Sequence, residues 1–262
     1  MIYEHTSLIG KRPTNEDSAV IYNDKKPNGL NIFCIFDGHG GKQVSKYLKD
    51  NILSYFVNKS CTYPLKKKYI IEVFNKIQDN LSKEKYSIRV GSTALIVIIY
   101  TINNNTYTNI INLGDCRAVL CRDNLGIPLT KDHKPNYPEE IRRIKKLGGN
   151  ITFDGVDWRV AEFSVSRAFG DCNAKPYISH IPDIFKYRLD KEDKFIILAC
   201  DGLWDVVSSQ DAVNIVLNSC YDDKTEKKIK KNINASKNLA NYAILKGSMD
   251  NVSVIVIYLG DN

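Results

Sequence analysis

The chain has 262 residues, 43% hydrophobic and 26% charged, an ordinary globular mixture with enough apolar material for a sizeable core. No apolar run reaches membrane-spanning length, and the N-terminal MIYEHTSLIGKRP lacks the apolar centre of a secretory signal, so the expected location is inside the cell, cytoplasmic, nuclear or both. The net charge of +7 invites a nucleic-acid reading, but no zinc-finger, RNP-like or basic-zipper pattern goes with it, so neither nucleic acid nor a membrane is an expected partner.

In chain order, residues 18–22 and 30–36 read as strands, rich in Ile, Val and Phe and bounded by Asn, Asp or Gly. From Lys42, the residues Val44, Tyr47, Leu48, Ile52, Tyr55 and Phe56 recur at helical spacing, and Ile70, Val73, Phe74, Ile77 and Leu81 repeat the pattern. Strands are expected at 93–100, 106–113 and 117–122, with TINNNTY and DNLGIP as hairpin loops. Pro138-Glu139-Glu140 opens a helix that Gly148-Gly149 stops. Residues 153–189 are the least periodic and read as a loop-rich, flap-like insert at about 153–190. A strand at 195–200, a helix capped by Ser208 with Asp211, a helix at about 235–245 and a strand at 252–259 follow. Successive strands without intervening helices imply antiparallel pairing. No Pro/Gly/Ser linker and no repeat divides the chain, so 1–262 reads as one domain.

Seven cysteines, without a C-x-x-C pair, read as free thiols of a reducing compartment; Cys34, Cys116, Cys121 and Cys200 sit in apolar runs as small buried hydrophobes. The basic runs at 66–68, 142–146 and 224–231 read as solvated helix faces. His133, Trp158 and Trp204 read as packing or structural residues.

One punctuation recurs. IFCIFDGHGG ends an apolar run on Asp37, NIINLGD on Asp115 and FIILACDG on Asp201, while GSMDN places Asp250 just ahead of the last strand. Singly, Asp-Gly after a strand is a turn. Four acids at strand ends can instead converge, and converging carboxylates repel unless a cation holds them. An all-oxygen donor set suits Mg²⁺ or Mn²⁺. Gly38, lacking a side chain, can offer its carbonyl as a further ligand. GKRPTNEDS adds Arg12, Glu16 and Asp17, either as a solvated loop or as a guanidinium fork for phosphate beside a second metal's carboxylate. Two ions bridged by one carboxylate would polarise a shared water, with His39 placed to protonate the leaving oxygen or serving as a structural hydrogen-bonder.

RPTNEDS, FDGHGG, GSTA, LGDCR, DHKP, SVSRAFGD, ACDGLWD and DNVSV stand in the order typical of metal-dependent Ser/Thr protein phosphatases of the type 2C class, and the resemblance runs from about Leu8 to Leu259. It implies an α+β fold, a β-sandwich of two antiparallel sheets flanked by α-helices on both outer faces. It also implies a one-step hydrolysis of phosphoserine and phosphothreonine in protein substrates, by a monomer with two Mn²⁺ or Mg²⁺ ions and a weaker third. On that resemblance Asp37 is the bridging ligand, Asp201 and Asp250 complete one ion, and Glu16 with the Gly38 carbonyl complete the other. Asp17 orients water, Arg12 holds the phosphate, His39 is the general acid and Asn251 supports Asp250. Asp115 and Asp205 match the third-metal positions, and Arg167 lies beside the substrate flap. RVAEFSVSR departs from the family's pattern: it is one residue shorter and has Ala161-Glu162-Phe163 where a Gly is common, so the turn there must be built differently. Substrate preference depends on that segment. No regulatory, targeting or transmembrane extension is expected. The reading from a different class is a catalytically weak pseudophosphatase acting as a protein-binding module, whose usual sign, a lost acid or phosphate arginine, is missing here.

Overall fold

The computed structural model describes residues 1–24, 29–58, 61–221 and 234–259; the basic run 224–231 lies outside the described residues. Strands β1 (Ile2–Leu8), β2 (Ser18–Asn23), β3 (Asn31–Phe36) and the two-residue β4 (Gly38–His39) come first. Helices α1 (Gln43–Phe56) and α2 (Lys67–Leu81) lead to β5 (Gly91–Ser92), β6 (Ala94–Ile102), β7 (Asn105–Leu113), β8 (Arg117–Arg122) and β9 (Leu125–Pro128). Helix α3 (Pro138–Lys146), β10 (Ile151–Phe153), β11 (Trp158–Val160) and β12 (Phe169–Gly170) precede β13 (Asp183–Arg188) and β14 (Asp193–Ala199). Then come α4 (Asp201–Trp204), α5 (Ser209–Cys220), α6 (Ala235–Leu245) and β15 (Val252–Tyr258).

Two five-stranded sheets, β1-β15-β14-β8-β9 and β13-β7-β6-β3-β2, form the sandwich, and their strands pair antiparallel throughout. Alternation explains why the central strands read as unbroken apolar runs: both of their faces are covered. On β3, Phe33 and Ile35 point into the layer between the sheets, with Val97, Ile196, Leu198, Ile255 and Ile257. Ile32, Cys34 and Phe36 point outward onto α1 and α2, against Leu48, Ile52, Phe74 and Ile77. On the opposite face, Ile197, Ala199, Val254 and Val256 meet Val213 and Val216 of α5 and Leu239 and Ala243 of α6. Each such buried Ile, Leu or Phe contributes about 1.5–3 kcal/mol. The α+β sandwich with helices on both outer faces is therefore the fold. No described helix is long and apolar enough to cross a membrane.

Local signals explain the element ends. Gly148, at φ +78, and Gly149 close α3 with bonds to the carbonyls of Lys145 (3.0 Å) and Ile144 (2.9 Å). The Ser208 hydroxyl accepts the Asp211 amide at 3.1 Å, starting α5. Asn103 and Asn104, at φ +50 and +61, make the β6–β7 turn. The expected DNLGIP loop is only half a loop: Asp123 and Asn124 turn, and Leu125–Pro128 is strand β9. Strand β1 passes unpredicted because, at the edge of its sheet, its alternation is weak and its residues stay partly exposed. The loop-rich insert likewise ends in an unpredicted sheet strand, β13, which pairs with β7. Of the basic run on α3, Arg143 is not solvated; it turns inward to Glu140 and the carbonyls of Ser166 and Tyr177, at 2.7, 2.9 and 2.8 Å. Cys34, Cys116, Cys121 and Cys200 are buried as expected.

Candidate metal centre and active site

Strands β3, β7 and β14 end, and β15 begins, at one rim of the sandwich, so Asp37, Asp115, Asp201 and Asp250 arrive there together. Asp37 is pinned by reciprocal bonds with Thr93: its amide donates to the threonine hydroxyl (3.1 Å), and its carbonyl accepts the Thr93 amide (2.8 Å). One carboxylate oxygen each from Asp37, Asp115 and Asp201 lies within 4.8 Å of the others. Asp17, Asp37 and the Cys200 thiol form a second such group. Burial, then the charges of Asp201, Asp17, Asp115 and Asp250, hold the Asp37 pKa well above the usual carboxylate range. Asp201 is raised in the same way, by burial and then Asp115. Asp17 is pushed up to about 6, chiefly by burial, and neither of its oxygens finds a hydrogen-bond partner of good geometry. Cys200 does not act as a thiolate, because burial raises its pKa well above normal and its sulfur already faces the Asn251 carbonyl and the Ser253 amide.

Asp37, Asp115 and Asp201 floor a cleft of about 320 Å³ whose lining includes Arg12, Glu16, Gly38, His39, Asp250 and Asn251. Gly38 has to be glycine: a Cβ there would sit 2.5 Å from the Glu16 carbonyl and 2.9 Å from the Ser45 hydroxyl. The Glu16 carboxylate faces the Gly41 amide at 3.0 Å, at the rim and outside both tight acid groups. Arg12 donates to Asp250 at 2.6 Å and leaves its other N–H groups toward the half-open cleft. Burial opposes its charge, but Asp250, Asp201 and Asp37 more than offset that and raise its pKa. Asn251 ties the N-terminal segment down, its side chain accepting from the Glu16 amide (2.9 Å) and donating to the carbonyls of Ile9 (2.8 Å) and Thr14 (3.0 Å).

The family model for protein phosphatase 2C matches residues 5–252. The chain belongs to the protein phosphatase 2C family. It is thus a serine/threonine phosphatase of a metal-dependent class. It is 47% identical over 165 residues to a PP2C-like domain-containing protein of Acanthamoeba polyphaga mimivirus, covering 57% of this chain and 92% of that protein. It is 35% identical to the human integrin-linked kinase-associated serine/threonine phosphatase 2C, over 96% of this chain and 70% of that one. A Caenorhabditis elegans sex-determining protein superposes with a TM-score of 0.85 at 25% identity, over 98% of this chain and 64% of that chain. A Toxoplasma gondii phosphatase shares the fold, with a TM-score of 0.81 at 23% identity over 99% and 93% of the two chains.

Three sequence-derived positions do not line this phosphatase's cleft: Asp17, its carboxylate buried beside Asp37, and Arg167 and Asp205. Arg167 turns away into a structural network, donating to Glu140 at 2.6 and 3.0 Å and to Asp183 at 2.9 Å. Asp205 stands on the adjoining surface, and between it and Asp115 lies the Lys134 ammonium, 2.6 Å from Asp115 and 3.6 Å from Asp205. Burial would discharge Lys134, yet Asp115, Asp201 and Asp205 raise its pKa and keep it charged. Sequence reasoning weighed DHKP only for His133, which is structural, its Nδ1 accepting the Gly114 amide at 3.0 Å. It also passed over Asp171, the last residue of SVSRAFGD. That carboxylate, fully buried, meets His39 Nε2 at 2.7 Å. The contact requires Gly91, where a Cβ would lie 2.6 Å from the Asp171 carboxyl carbon. Both motifs are visible, but nothing in their spacing shows that the lysine would face the acids or that the aspartate would face His39.

Proposed function

We propose that the chain, acting as one catalytic domain and as a monomer inside the cell, removes phosphate from phosphoserine and phosphothreonine of proteins in a single hydrolytic step. The observation that carries this is the trio Asp37, Asp115 and Asp201, whose buried oxygens crowd within 4.8 Å. Mutual repulsion of that kind calls for a cation, and an oxygen-only set with both Asp17 oxygens unpartnered fits Mn²⁺ or Mg²⁺. Asp37, Asp201 and Asp250 would hold one ion, and Asp37, Glu16 and the Gly38 carbonyl a second; Asp115 and Asp205 would hold a weaker third once the Lys134 ammonium between them has moved aside. Such ions supply Lewis-acid charge stabilisation and make water nucleophilic near neutral pH.

The chain's own residues do the rest. Arg12, held on one side by Asp250, presents its remaining N–H groups to phosphate oxygens. Asp17 orients the attacking water. His39 gives a proton to the departing serine or threonine oxygen, an alkoxide too basic to leave without one. Asp171 fixes one ring edge of His39, so the other nitrogen, Nδ1, is the one left for the cleft. The Phe163 ring, its centre 5.5 Å from that of the imidazole, packs against it in an edge-on arrangement.

The deciding experiment is phosphate release from a phosphothreonine peptide with Mn²⁺ and with EDTA, for wild type and Asp37→Ala. Mn²⁺-dependent release that the substitution abolishes is the expected result. A folded wild type inert with Mn²⁺ on several phosphopeptides would favour the binding-module reading.

A further inference from the structure

The two tryptophans have opposite fates. Trp204 is core, its indole N–H donating to the Ala199 carbonyl at 2.9 Å. Trp158 was expected to pack as well, yet it stands 44% exposed on β11, its ring 5.4 Å from that of Phe153 across the β10–β11 pair. With Tyr137 and Val156, the latter 81% exposed at the hairpin tip, it walls a groove of about 360 Å³. Neighbouring exposed aromatic and aliphatic side chains of this kind mark recognition surfaces, and Trp and Tyr are the side chains that most often anchor them.

Two features say what the groove holds. It continues the catalytic cleft: Ser164 lines both, and the groove's Lys134 is one ion pair, 2.6 Å, from Asp115 of the acid cluster. Whatever runs out of the cleft past Ser164 passes over Trp158. The groove's charge is also one-sided. Asp157 and Asp205 face it, and its ammonium, Lys134, is already paired with Asp115. The Asp157 carboxylate makes no ion pair among the described residues. Such a groove favours a cationic visitor beside an apolar one.

We propose that this groove binds the polypeptide next to the phosphorylated residue of a protein substrate, selecting a large apolar side chain adjacent to a Lys or Arg. The inference rests on the phosphatase reading and names the substrate class within it. The groove adjoins the cleft at Ser164, so the selected side chain stands within a few positions of the phosphorylated one, an extended chain advancing about 3.3 Å per residue.

The test compares kcat/KM on phosphothreonine peptides carrying Leu-Arg, Ala-Arg, Leu-Glu or Ala-Ala at those positions on either side, with p-nitrophenyl phosphate, which fills only the cleft, as control. Wild type should prefer the Leu-Arg peptide about tenfold over Ala-Ala. Trp158→Ala should erase that preference while aryl phosphate turnover stays within about twofold. Val156→Ser, at the exposed tip, should weaken the same preference without disturbing the hairpin. Asp157→Lys should turn the preference from Leu-Arg to Leu-Glu. Equal kcat/KM across the peptides in wild type, or equal losses on peptide and aryl phosphate in the variants, overturns the proposal. A wild-type dimer in sedimentation that Trp158→Ala dissociates, without any peptide preference, gives the face to a second copy and also overturns it. Failure of wild type on the aryl phosphate as well marks failure of the phosphatase reading itself, and the groove proposal falls with it.

Discussion

Asp37 and Asp201 project from strand ends in which almost every residue is buried, whereas in the turn that hangs over them only the ends, Val160 and Phe163, pack on the small cluster around Ile144 and Ile178. The Val160 and Phe163 amides each donate to the other's carbonyl, at 3.0 and 2.9 Å, which forces Ala161 and Glu162 into left-handed backbone at φ +46 and +75. Non-glycine residues adopt that conformation at about 1–2 kcal/mol each. The two regions are strained in different ways. The acid cluster carries electrostatic repulsion that a bound cation relieves. The turn carries backbone strain that no ligand relieves, and only the surrounding contacts hold it, among them the bond from Arg159 to the Glu162 carbonyl at 3.0 Å.

The largest expected effect breaks the acid cluster. Asp37→Asn should lower kcat by about a thousandfold or more, the several kcal/mol a catalytic metal supplies. In EDTA at pH 8 the same variant should melt higher than wild type, by about 2–8 °C, because a repelling buried carboxylate is gone. A lower melting temperature would mean that the carboxylates are not strained.

The next tests the same repulsion by pH. The Asp17 pKa is raised in the folded chain from 3.8 to about 6, so between those values the folded state holds more protons than the unfolded one. Its contribution therefore turns unfavourable as pH climbs through about 4 to 6 and stays so above, a loss on the order of 3 kcal/mol. Urea unfolding in EDTA should show Asp17→Asn gaining on wild type across that window. With Mn²⁺ present the gain should shrink or reverse. A flat difference in EDTA would contradict the burial argument.

Asp171→Asn separates chemistry from scaffold. Loosening His39 should cost about 10- to 100-fold in kcat on a phosphothreonine peptide. On p-nitrophenyl phosphate, whose leaving group needs no proton, the change should stay within about threefold. Equal losses on both substrates would make Asp171 merely structural. The smallest effect belongs to the turn: Glu162→Gly should stabilise the protein by about 1 kcal/mol in urea unfolding, by removing one left-handed side chain. A destabilised variant would show that Glu162 makes contacts worth more than its strain.

The same division governs what could be read from the sequence. Strands β3, β6, β7, β8, β14 and β15 are buried on both faces, so their apolar runs, and the acids that punctuate them, stood out from residue order alone. Strands β1 and β13 lie at sheet edges where half-exposed residues blur the alternation, and neither announced itself. Gly38 and the acids were legible because each sits beside a strand end. Lys134 and Asp171 were not, because their partners lie 19 and 132 residues away, and only the closed sandwich brings them together. The missing glycine in RVAEFSVSR did foretell an unusual turn, but its left-handed Ala and Glu are a property of geometry. Trp158 misled for a related reason: an indole in an apolar context usually packs, and the hairpin that carries it leaves one side uncovered.

The first and last strands lie side by side, with Ile2 to Leu8 paired residue for residue against Tyr258 to Val252. That pairing also brings Arg12 to Asp250 and the Glu16 amide to Asn251. During synthesis on the ribosome these two halves of the site emerge 238 residues apart. A nascent chain lacking residues 250–258 has a β1 without its neighbour and an Arg12 without its carboxylate, so it is a phosphatase in neither shape nor charge. A chain stopped short of β15 should therefore release no phosphate from a phosphothreonine peptide, because both β1 and Arg12 lose their partners.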